Sequence, residues 1–230
     1  MFVMIIQPIA RIRTDFPSKF GIPRQSGLAD NISEIIFEPK YRTDEALRGI
    51  DGYSHLWLIW EFTEARQEKF SPTVRPPRLG GNVRMGVFAT RSPFRPNSLG
   101  LSCVELIKVN KGTPNGTTLL VKGADILDNT PIYDIKPYIP FSDSIPDALG
   151  GFGADIKNRI EEVDFACDIP SGVTRETLST IRRILIQDPT PHYKNDPERI
   201  YAFEYADLNI KFRTDRKKIT VMQLAKTIKN

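Results

Sequence analysis

Cysteine and histidine are scarce in this chain of 230 residues, which has two of each. Cys103 and Cys167 lie far apart, and neither His55 nor His192 has a Cys, Asp or Glu at metal-ligand spacing. No zinc or other metal site is expected from such a set. The same scarcity excludes a disulfide framework and points to reduced core thiols in a reducing compartment. Long apolar runs are also missing. The opening run, MFVMII, is closed by Pro8 and Arg11, and no basic segment precedes it. It is too short for a membrane span and unlike a secretory signal, so the expected location is the cytoplasm. No G-x-G-x-x-G follows a strand, no phosphate-binding G-x-x-x-x-G-K-[ST] occurs, and no nucleophile elbow is present.

One further absence is local. Residues 75–102, RPPRLGGNVRMGVFATRSPFRPNSLGLS, contain five arginines and no Asp or Glu. Prolines and glycines between the arginines prevent an ordinary helix. Each guanidinium is a fixed charge with a planar fork of donors, matched to carboxylate or phosphate oxygens. From Arg75 to Lys111 there are seven basic residues against Glu105 alone, an excess larger than the whole-chain net charge of +4. The rest of the chain is therefore close to balanced. This pattern predicts one local anion site in an otherwise ordinary soluble protein with 40% hydrophobic and 26% charged residues.

What is present in the first 146 residues reads as short strands with turn signals between them. Strands are predicted over 2–12, 32–37, 53–62, 83–90, 101–109, 117–124 and 135–139, with a short helical turn at 43–48 and a loop at 16–28. This is mainly β, an antiparallel β-barrel closed or nearly closed. The Gly-rich stretch 147–153 reads as a hinge. Residues 154–230 read as a small α+β domain. A strand is predicted at 163–167, a helix over 174–187 with Thr174 and Glu176 at its start, and strands at 200–205, 208–212 and 218–222.

The loops carry more. FGIPRQSGL (20–28), GYSHLW (52–57), RPPRLGG (75–81), GVFATRSPFRPN (86–97), DILDNTP (125–131) and DIKPY (134–138) follow one another in an order that closely resembles the TrmO-type family of tRNA methyltransferases. DPTPHY (188–193) resembles a motif of the bacterial family's C-terminal domain, with Thr190 where that family often has arginine. The resemblance implies a β-barrel enzyme that uses S-adenosyl-L-methionine to methylate N6 of the threonylcarbamoyl-modified adenosine 3′ of a tRNA anticodon. It also implies a homodimer, no membrane association, and a C-terminal domain that contacts tRNA.

Carried onto this sequence, the family's cofactor site falls on Pro23, Arg24, Gln25, His55, Leu56, Arg91, Leu101, Asp125, Ile126, Leu127 and Asp128. Arg91 is then the partner for the methionyl carboxylate, Leu101 a contact for adenine, and an aspartate of the 125–128 turn the acceptor for ribose hydroxyls. Arg78, Arg84, Arg95 and Lys136 are left for tRNA phosphates or the threonyl carboxylate. Asp128, Asp134, Tyr133 and His55 are the candidates for a general base, and the residues do not choose among them. Two other readings stand beside this one: a methyltransferase of the same fold acting on another RNA or a small molecule, and a non-catalytic RNA-binding barrel.

Overall fold

The computed structural model describes residues 4–67, 69–79, 82–153, 160–190 and 196–227, with the side chain of Arg78 outside that description. His192, within the 188–193 motif, also lies outside it.

The first half is built from β1 (Ala10–Arg13), β2 (Ile32–Phe37), β3 (His55–Glu61), a short ribbon of β4 (Thr73–Val74) and β5 (Met85–Gly86), then β6 (Leu99–Thr113), β7 (Gly116–Lys122) and β8 (Thr130–Pro137). Six of these close a barrel in the order β1-β2-β7-β6-β3-β8, every pairing antiparallel. Closure follows from the period-two pattern of the strands. Ala10 and Ile12, Ile35 and Phe37, Leu56, Leu58 and Trp60, Val104, Leu119 and Val121, and Ile132 point inward and form one core. The six strands pair in a closed ring, although β7 leaves residues 99–104 of β6 without a partner on that side. Gly100 is part of this packing, because a Cβ there would lie 2.3 Å from the Trp60 indole.

The register places three connections at one mouth of the barrel: residues 14–31, 62–98 and 123–129. The opposite mouth carries the connection 38–54, with 3-10 turns at Pro39–Tyr41, Glu45–Leu47 and Ile50–Gly52, and the β6–β7 turn. The segment expected as a strand at 83–90 is corrected here. Only Met85–Gly86 are extended, and Val87–Ala89 form a 3-10 turn. The reason is local: Pro72 takes the Val87 N–H at 3.0 Å, and the Thr90 hydroxyl folds back onto the Val87 carbonyl at 2.9 Å.

After the short helix α1 (Pro140–Asp143) the chain reaches β9 (Glu162–Phe165), α2 (Arg175–Ile186), β10 (Tyr201–Tyr205), β11 (Leu208–Thr214) and β12 (Lys218–Lys226). The sheet order is β10-β11-β12-β9, with β12 and β9 parallel. Thr174 caps α2, its hydroxyl accepting the Thr177 N–H at 3.1 Å. The Ile181, Ile184 and Leu185 side chains of the helix are buried in the core of this sheet.

That second core is shared with the barrel's mouth. Phe16 and Ala29 are buried in it, with Phe20 and Ile22 packed against it, all four from the 14–31 connection. Phe16 meets Tyr205 with ring centroids 5.1 Å apart, and Phe20 sits edge-on to Phe203 at 6.5 Å. An Arg183–Asp30 ion pair at 2.8 Å and an Ala206 N–H to Asp15 carbonyl bond at 3.3 Å complete the seam. Burying Phe16 alone is worth roughly 2–3 kcal/mol.

Gly21 sits where the loop presses hardest on this seam. Its φ is +102°, and a Cβ would fall 2.4 Å from the Phe203 ring. Gly21→Ala is expected to lower stability by roughly 2–4 kcal/mol through backbone strain and the clash together. Urea unfolding checks this, and an unchanged midpoint would contradict the tight seam.

Candidate active site at the barrel mouth

The mouth connections converge on Asp125. This residue follows β7, and its side chain turns into the barrel beside Ser102 of β6. A chain of hydrogen bonds fixes it. The Trp60 indole N–H, which can only donate, gives its hydrogen to Ser102 Oγ at 2.9 Å. The Ser102 hydroxyl is thereby left to donate to Asp125 Oδ1, at 2.5 Å. Burial pushes the Asp125 carboxyl from its ordinary 3.8 up to about 6. The Ser102 bond, its own backbone N–H, the Arg91 charge and the Ser26 backbone oppose that rise in decreasing measure.

Two further loops close around it. Arg91 Nη1 donates to Gln25 Oε1 at 2.5 Å, joining connection 62–98 to connection 14–31. Ser26 Oγ accepts the Cys103 N–H at 3.1 Å, on the side of β6 that β7 has left open. The floor is tied by the Asn31 amide, which donates to the Ala124 carbonyl at 2.9 Å. Gln25, Ser26, Arg91, Ser102 and Asp125 thus form one polar constellation, with a fixed cation and a half-buried acceptor. Leu101, next to Ser102, points out of the barrel and is 56% exposed.

The remaining expected residues distribute unevenly. Pro23 is buried beside Arg24, and the Arg24 guanidinium donates to the Asp188 carbonyl at 3.0 Å, toward the C-terminal sheet. The Leu56 and Ile126 side chains are fully buried in the barrel core, so only their backbone can face a ligand. Leu127 is half-buried in the same connection. His55 stands in one row with Glu105 and Lys122, two strands or ~10 Å from the start of the Asp125 connection. Its Nδ1 lies 3.0 Å from Ser54 Oγ, and its ring is edge-on to Tyr138 at 6.2 Å.

Three base candidates are engaged elsewhere. Asp128 accepts the Thr14 N–H at 2.9 Å and pairs with Arg13 at 3.3 Å, at the seam with the C-terminal sheet. Tyr133 donates its hydroxyl to Glu61 Oε2 at 2.6 Å, and burial and that acid hold its pKa above the ordinary value. Asp134 pairs with Lys136 at 3.0 Å on the surface. Of the residues expected for RNA, Arg84 is exposed, and Arg95 is turned onto the Thr90 carbonyl at 2.7 Å.

Thr190 is fully buried, donating to Asp188 Oδ1 and accepting from Arg216 at 2.7 Å. It holds the end of the α2 connection and does not face solvent. Ser102, Trp60, Ser26 and Glu61 were not expected from sequence reasoning. A polar residue in an inward register, between Gly100 and Val104 in β6, is the signal that would have found Ser102. Glu61 closes an otherwise apolar strand, and its carboxyl is held below the ordinary range mainly by its hydrogen bond from Arg66. Among the described residues, no three His, Cys, Asp or Glu side chains gather to hold a metal ion, and no helix is long and apolar enough to cross a membrane.

The raised Asp125 pKa has a definite sign. The fold favours the protonated carboxyl, so the stability it contributes is complete below about pH 4 and is lost as pH rises through about 6. The loss amounts to roughly 3 kcal/mol at most. Asp125→Asn is expected to keep the Ser102 bond and flatten this part of the stability–pH curve. Unfolding midpoints between pH 4 and 7 check it, and parallel curves for both proteins would contradict it.

Comparison with known proteins identifies the family. Residues 11–144 match the tRNA-methyltransferase O N-terminal domain, and residues 161–227 match the TrmO C-terminal domain. The tRNA (adenine(37)-N6)-methyltransferase of Escherichia coli is 38% identical over 216 residues, covering 90% of this chain and 92% of that protein. An S-adenosyl-L-methionine-binding protein of Archaeoglobus fulgidus is 34% identical over 142 residues, covering 62% of this chain and 94% of its own length. A crystal structure of TrmO from Pseudomonas aeruginosa superposes with a TM-score of 0.74 at 31% identity, over 97% of this chain and all of that one. With both domain models matched in order and most of the chain aligned, this protein belongs to the tRNA-methyltransferase O family.

Proposed function

We propose that this enzyme methylates N6 of the threonylcarbamoyl-modified adenosine just 3′ of a tRNA anticodon, with S-adenosyl-L-methionine as the methyl donor. The observation that carries the reading is the joining of Gln25, Arg91 and Asp125 at one mouth of a barrel whose family acts on tRNA. The side chains suit the cofactor's chemistry. Arg91 offers a fixed cation for the methionyl carboxylate. Asp125 keeps acceptor capacity beyond its Ser102 bond, as two ribose hydroxyls require. Leu101 presents an apolar side chain for adenine, while Pro23, Arg24, Leu127 and the backbone at His55, Leu56, Ile126 and Asp128 supply the walls.

Bound S-adenosyl-L-methionine supplies an electrophilic methyl group. The protein's part is to hold the acceptor nitrogen in line with it at about 3–3.5 Å and to shed water. The nitrogen must also lose a proton. Of the four base candidates, His55 alone keeps a ring nitrogen, Nε2, with no partner among the described residues. We assign it the proton.

Arg84 and Lys136 are assigned to tRNA phosphates of the anticodon stem-loop, together with Arg78; Arg95 shapes the loop. The C-terminal unit, residues 154–230, anchors connection 14–31 and serves as the accessory contact to tRNA. The exposed Leu99 and Leu101 side chains support a homodimer formed on this side of the barrel. Free, half-buried Cys103 and Cys167 accord with work in the cytoplasm.

Nucleoside mass spectrometry of tRNA from a strain lacking the gene tests the reaction. The methylated threonylcarbamoyladenosine is expected to vanish and the unmethylated form to accumulate; undiminished product would remove the substrate assignment. In the purified protein, Arg91→Ala is expected to weaken cofactor binding about tenfold or more by calorimetry. Arg84→Ala should leave cofactor binding intact and lower the salt dependence of tRNA binding.

A further inference from the structure

Two aromatic rings on the arginine-rich connection have no role in the site described so far. Phe88 is 72% exposed and Phe70 58% exposed. Their centroids are 6.4 Å apart and their planes lie within 25° of parallel. They are held, not merely left out. The β4–β5 ribbon pairs Thr73 with Gly86 and Val74 with Met85, bringing the two phenylalanines together from positions eighteen residues apart. The Val87 N–H is fixed on the Pro72 carbonyl at 3.0 Å. Arg95 bonds the Val87 and Thr90 carbonyls at 3.3 and 2.7 Å and sets its guanidinium 5.8 Å over the Phe88 ring.

Such a surface has a specific chemical complement. An unpaired nucleobase is flat and apolar on its face, and its own phosphates are anionic. Arg75 and Arg84 are exposed on the same connection, and Arg91 is three residues beyond Phe88. A second copy of this chain fits poorly. A two-fold contact here would bring together arginines that have no Asp or Glu among them from Arg75 to Arg95.

We propose that Phe88 and Phe70 form a stacking platform for an unpaired base of the RNA, the nucleotide flanking the one whose methyl acceptor enters the Arg91–Asp125 site. The inference rests on the tRNA reading above and deepens it. Stacking on a phenyl face is tolerant of base identity. The platform therefore positions the anticodon loop without selecting its sequence, and selection is left to the pocket that receives the modified adenosine. Arg95 serves the platform as a positioning residue, because its guanidinium braces both the turn and the ring.

The test uses the full-length protein and an anticodon stem-loop carrying 2-aminopurine beside the target adenosine. Wild-type protein is expected to quench the fluorophore as it binds. Phe88→Ala should weaken RNA binding by about 5- to 100-fold and abolish the quench. Its salt slope and its affinity for S-adenosyl-L-methionine should stay unchanged. Phe88→Trp should restore both affinity and quench, and Phe70→Ala should act in the same direction as Phe88→Ala. Wild-type affinity and quench in Phe88→Ala would overturn the platform alone. So would an equal loss of cofactor binding, or a change in oligomeric state with RNA binding intact. Failure of the wild-type protein to bind the stem-loop at all would instead remove the tRNA reading, and the platform with it.

Discussion

The structure depends on one piece of packing, the burial of Phe16 and its neighbours in the core of the C-terminal sheet. The connection that carries Arg24, Gln25 and Ser26 would otherwise be an eighteen-residue loop without helix or strand, the kind of segment that samples many conformations. Phe16, Phe20, Ile22 and Ala29 give it an apolar side, and the sheet provides the matching surface. With that side buried, the polar side has little freedom, and Gln25 and Ser26 are presented to Arg91 and to β6. The C-terminal unit is thus structurally part of this mouth of the barrel.

The second constraint is electrostatic. Asp125 is half-buried beside the mouth, where its charged form is disfavoured. The fold keeps it there through a directional chain from Trp60 through Ser102, so the carboxyl is held in one orientation. A half-buried carboxyl of this kind is costly to ionise in the free protein. Stability given up at a functional site is a common pattern in enzymes. Arg91, on the exposed loop, supplies the opposite charge, and the Gln25 bridge holds the two loops in contact.

Much of this was legible in the sequence. Most barrel strands were legible from branched and aromatic content, though the first, expected over 2–12, is confined to Ala10–Arg13 among the described residues; the C-terminal helix was legible by its spacing and its Thr174 cap. The loop motifs located the mouth. Side-chain direction was harder to read. Leu56 and Ile126 belong to motif segments, yet the period of two in HLWLIWE sends Leu56, Leu58 and Trp60 inward together. Residues 83–90 have the branched content of a strand, but hydrogen bonds to Pro72 and within the turn prevail over propensity. The Gln25–Arg91 and Ser102–Asp125 bonds join residues 66 and 23 positions apart, and no local pattern reports such pairs. Thr190, which stands where the family often has arginine, is buried as a link between Asp188 and Arg216.

The central claim is that three connections at one barrel mouth, held in place by the C-terminal core, form the cofactor site. Hydrogen–deuterium exchange of the full-length protein with and without S-adenosyl-L-methionine tests it most directly. The cofactor should slow exchange together in residues 23–26, in the loop around Arg91, at 101–103 and at 123–127, while the opposite mouth at 38–54 stays unchanged. Protection confined to that opposite mouth, or absent from the Asp125 connection, would contradict the account.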